Sequence, residues 1–76
     1  MNEHFLKTQV FRKLAEAAQP VIQQNMTAYE HRLRNEGEDE PRICHLLAAY
    51  IDETRAWMEE TAARVAKEAL EQGRKP

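Results

Sequence analysis

The chain has 76 residues, 42% of them hydrophobic and 32% charged, with a net charge of −2. That length allows one domain with a small core. The mixture is that of a folded helical protein, and the near-neutral balance supplies no positive field to gather nucleic acid or anionic lipid. Cys44 is the sole cysteine, so no intrachain disulfide forms, and no apolar run approaches the ~20 residues of a membrane span. The segment Met1–Lys7 lacks the basic region and apolar core of a signal peptide, and a lone thiol suits a reducing compartment. A cytoplasmic setting is therefore expected, and the Ala-, Arg- and Glu-rich composition points to a bacterial or phage source.

Strong helix formers dominate, and no stretch shows the two-residue alternation of a strand. The expected fold class is all-α, a single helical hairpin. Its first helix is predicted over about 3–35. Leu6, Val10, Leu14, Ala17 and Val21 share one face, while Ile22, Met26, Tyr29 and Leu33 form another, rotated by a quarter-turn or more. Pro20 sits at the junction, where it removes the N–H bond to Glu16 and crowds that carbonyl. A kink or a break is expected there, the alternative being a stripe that simply winds around its partner.

The turn is predicted over 36–40, within Asn35-Glu36-Gly37-Glu38-Asp39-Glu40-Pro41. Gly37 suits the left-handed position just past a helix, Arg32 and Arg34 suit its last turn, and Asp39 or Glu40 can cap the next helix. Pro41 fits a first turn, where its missing N–H costs nothing. A short polar loop makes the two helices antiparallel neighbours.

Helix two is predicted over about 41–72, with Gly73 as its stop and a basic tail over 73–76. Ile43, Leu46, Leu47, Tyr50, Ile51, Thr54, Trp57, Met58, Thr61 and Val65 fall on one broad face. Within it Ile43, Leu47, Tyr50, Thr54, Trp57 and Thr61 follow the alternating steps of four and three of a coiled-coil seam. Glu68 intrudes on that side, so the last turns are expected to protrude or fray. Asp52, Arg55, Glu59, Lys67 and Glu71 lie opposite, and Glu60–Arg64, Arg64–Glu68 and Lys67–Glu71 are spaced as helical ion pairs.

Nothing in the chain is built for chemistry. Cys44, His45 and His31 flank the turn, but adjacent residues on a helix chelate poorly, and no paired metal-ligand spacing occurs. There is no phosphate loop or nucleophile motif, and two helices enclose no cleft in which to hold a nucleophile and its base. No catalytic residue, metal or cofactor is expected, nor an enzyme. Helix–turn–helix spacing is absent as well.

The aromatic and methionine residues carry the remaining signal. Phe5, Phe11, Tyr50, Trp57 and Met58 are candidate partner-binding residues, because such side chains anchor protein interfaces. The expected function is that of a small non-enzymatic regulator of the inhibitor, adaptor or anti-activator type, covering a partner protein's working surface. Two alternatives stand beside it: a nucleic-acid-associated regulator using Arg12, Lys13, Arg32 and Arg34, and a purely structural oligomerisation module. A chain this short needs help to stabilise its core, and the over-wide stripe points to a homodimeric helical bundle. With one broad face on helix two, self-association and partner binding are expected to compete.

Overall fold

The computed structural model describes residues 2–74, with side chains through Gly73. Two α-helices pack against each other as an antiparallel hairpin, α1 over Glu3–Asn35 and α2 over Glu40–Arg74, with no strand among the described residues. Asn2 starts α1: its Oδ1 accepts a hydrogen bond from the Phe5 N–H at 2.7 Å, satisfying a donor that the first turn leaves free.

α1 runs through Pro20 without interruption, which settles the expectation of a possible break. The ring sits on the solvent side, as does Glu16, whose carbonyl it deprives of a helical donor. Loss of one bond is then tolerable in a helix of 33 residues held along its length.

The turn closes as the residues around Gly37 dictate. Gly37 takes φ +84°, the Glu38 N–H donates to the Leu33 carbonyl at 3.1 Å, and the Gly37 N–H donates to the Arg34 carbonyl at 3.1 Å. These two bonds form a Schellman motif, which satisfies carbonyls at the end of α1. Asp39 caps α2 by accepting from the Arg42 N–H at 2.9 Å, so Glu40 becomes the first helical residue and Pro41 lies in the first turn. At the other end Gly73 does not stop α2, which continues to Arg74. Of the expected basic tail, Lys75 and Pro76 lie outside the described residues.

The core is a narrow seam. Leu33, Ile43, Met58, Ala62 and Ala66 are its buried hydrophobic residues, and half-buried Leu6, Val10, Leu14, Ala18, Ile22 and Met26 extend it along α1. Both helices depart here from the expected stripes. On α2 the seam leaves the alternating pattern after Thr54 and proceeds in steps of four through Met58, Ala62, Ala66 and half-buried Leu70, while Trp57 and Val65 turn outward. On α1 the same four-residue step selects Ala18 and Ile22 rather than Ala17 and Val21, both exposed. The two faces expected on either side of Pro20 are thus one winding stripe. A repeat longer than the helical period shifts the contact line steadily round each helix.

Alanine explains the choice on α2. Ala62 and Ala66 are fully buried at 0% exposure, as expected where two helix backbones approach too closely for a larger side chain. Counting outward from the turn sets them across from the N-terminal half of α1, which carries half-buried Leu6, Val10 and Leu14. The last turns of α2 are accordingly packed rather than frayed as far as Leu70.

Candidate functional site

Thr54 and Met58 lie on the seam of α2, so Ile51 and Arg55 fall to one side of it and Trp57 to the other, about 200° away from Arg55. The first side carries an open groove that runs along α1 and meets α2 at Ile51. Its lining includes Phe11, Ala15, Ile22 and Met26 of α1 and Ile51 of α2, rimmed by Arg12, Glu16 and glutamines. Toward the open end of the hairpin a smaller depression on the same side brings Lys7 and Phe11 next to Arg55 and Glu59. Phe11 belongs to both.

The opposite side holds most of the exposed large apolar residues. Trp57 is 56% exposed, Val21 55% and Phe5 52%, while Val65, two turns beyond Trp57 on the same flank, is 39% exposed. Phe5 and Val21 lie four steps of four apart along α1, on the flank across its seam from Phe11 and Ala15. The one broad face expected on α2 is therefore divided by the seam into two separate sides.

The remaining candidates lie elsewhere. Met58 is buried in the hairpin core at 8% exposure. Tyr50 is half-buried and packs across the helices against Tyr29, ring centroids 6.3 Å apart at a tilted 59°. Of the basic residues, Arg12 and Lys13 are exposed. Arg32 lies 5.0 Å from the Tyr29 ring centroid and 3.7 Å from Glu36.

Arg34 is held at the mouth of the turn, donating to Glu30 at 2.9 Å and to Glu40 on the other helix. These bonds raise the guanidinium further above its ordinary value, and the bond from Arg34 holds the Glu40 carboxyl below the usual carboxylate range. Arg34 thus fastens α1 to the start of α2. Along the helices Arg55–Glu59 closes at 3.8 Å, whereas the expected pairs from Glu60 to Glu71 are not among the ion pairs of the described residues.

Cys44 and His45 are exposed just past the turn, and His31 is exposed on α1. Among the described residues no three His, Cys, Asp or Glu side chains gather into a set suited to a metal ion. No described helix is long and apolar enough to cross a membrane. Comparison with known proteins found no match to this chain among protein-family models, curated proteins or solved structures.

Ile51, Ile22 and Met26 were visible in the sequence only as parts of hydrophobic stripes, and their place in a groove depends on the seam's step. The hydrophobic pattern of the sequence turns Val21 and Val65 inward, whereas both are exposed. Their outward position follows from the four-residue step of the seam, which on α2 runs through buried Ala62 and Ala66, alanines that carry little hydrophobic signal.

Proposed function

We propose that the chain is a non-enzymatic protein-binding regulator, acting as a two-copy helical assembly that covers the working surface of a partner protein. The groove along Phe11, Ala15, Ile22, Met26 and Ile51 is the observation that carries the proposal. Its apolar floor and polar rim suit an amphipathic helix laid lengthwise, the mode in which apolar residues at helical spacing anchor in a hydrophobic groove. A hairpin measuring 59 × 18 × 15 Å is a long, narrow bar, shaped to obstruct a surface rather than to enclose a substrate. The bend expected at Pro20 belongs to the same proposal: a ring on the outer face curves α1 toward α2 and keeps the winding stripe in contact.

Charge favours protein over nucleic acid as the partner. Two of the four basic candidates, Arg32 and Arg34, are paired with carboxylates, which removes them from a counterion-releasing surface. The test is capture of a partner by the tagged full chain, with and without nuclease. One stoichiometric protein that survives nuclease and moderate salt, and is lost with Phe11→Asp or Ile51→Asp, is the expected outcome. Capture that nuclease abolishes, or that both substitutions leave intact, contradicts the proposal.

A further inference from the structure

We infer that the side of the hairpin bearing Phe5, Ala17, Val21, Trp57 and Val65 is where a second copy of this chain docks, leaving the groove on the opposite side free for a partner. This assignment rests on the two-copy proposal above and adds which surface is used.

The hairpin leaves too much surface uncovered to be a finished fold. Its accessible area is 6029 Å² for a mass of 8.9 kDa, where a compact protein of that mass exposes about 4,800 Å². The surplus of roughly 1,200 Å² exceeds the ~800 Å² that each partner contributes to a standard interface. Of the buried hydrophobic residues only Leu33, Ile43 and Met58 are larger than alanine, a core too small to hold 76 residues against their conformational entropy. Cover is therefore needed whenever the chain is folded. The molecule always available in equal amount is its own copy.

Composition selects the side. Following each helix in steps of four, the Trp57 side carries Lys13 and Glu53 as its charges over positions 5–21 and 53–69, whereas the groove side carries Lys7, Arg55, Glu59 and Lys67 over 7–23 and 51–67. Charge depletion around large apolar anchors marks the centre of a permanent interface. One lysine against one glutamate also gives this side no net field, unlike the Lys/Arg-rich rim of a membrane-lying helix.

Trp57 is the midpoint of α2 (Glu40–Arg74), and Val21 lies near the middle of α1 (Glu3–Asn35). An anchor at mid-length is self-matching in a two-fold dimer, in which the same patch faces itself. It also stands where interface hot spots concentrate, at the centre and ringed by weaker contacts.

Trp57 is the single tryptophan, so its fluorescence reports this side alone. The experiment is sedimentation of the purified full chain over a wide concentration range, with acrylamide quenching of Trp57 on the same samples. The expected result is a two-chain mass with Trp57 shielded several-fold relative to the denatured chain, both properties reverting together on dilution. Trp57→Glu raises the dissociation constant by about tenfold or more, or unfolds the chain, while Ile51→Glu leaves the two-chain mass unchanged. A folded single-chain mass at hundreds of micromolar overturns the two-copy proposal itself. A two-chain mass with Trp57 freely quenched, or one broken by Ile51→Glu and not by Trp57→Glu, overturns the assignment of the side.

Discussion

Gly37 holds φ +84° with nothing within 4 Å of where a Cβ would sit, so replacing it tests backbone conformation free of steric clash. Gly37→Ala is expected to destabilise the hairpin by about 1–2 kcal/mol, read from thermal melting. Neighbouring Met58 and Trp57 make a sharper pair, because the first is buried and the second largely exposed in the hairpin. Met58→Ala should cost about 2–5 kcal/mol through transfer and cavity terms. Trp57→Ala removes little intrachain packing, so its effect should appear in assembly. Glu40 supplies a pH-dependent contact. Its folded carboxyl lies below the ordinary range because Arg34 hydrogen-bonds it, so this contact adds stability above the unfolded carboxylate pKa and loses it as pH falls through the folded one. An NMR titration should place the Glu40 midpoint below the ordinary value of about 4.3, and Arg34→Ala should move it upward.

For the helices themselves, the step of the seam decides which substitutions matter. If α2 kept a coiled-coil seam through Trp57 and Thr61, a larger residue at 62 would be harmless. With Ala62 fully buried, Ala62→Leu forces backbones apart and should cost about 1–3 kcal/mol, measurable by denaturant unfolding. Legibility in the sequence divides along the same line. Gly37, Asp39 and Pro41 announce the turn because each acts through local backbone chemistry, and helix-forming composition announces the two helices. The packing register was misread at Ala17/Ala18, Val21/Ile22 and Trp57/Met58, because the choice between adjacent positions depends on how closely the two backbones approach. The apolar excess was visible as an over-wide stripe, but its partition into a groove side and a Trp57 side was not, since that follows from the register.

As a whole molecule the hairpin is extended. Its radius of gyration is 16.9 Å, against about 11 Å for a compact domain of this length. A single seam between two helices gives each only one packed face, and the rest of the apolar surface awaits cover. On the proposal that a second copy covers it, folding of this chain is coupled to its association. The most direct test is the midpoint of thermal unfolding, followed by helical circular dichroism over a hundredfold range of chain concentration, about the span over which mass action moves a coupled equilibrium measurably. A midpoint that rises steadily with concentration is the expected result. A cooperative transition at one temperature, independent of concentration, would contradict it and make the bare hairpin a complete protein.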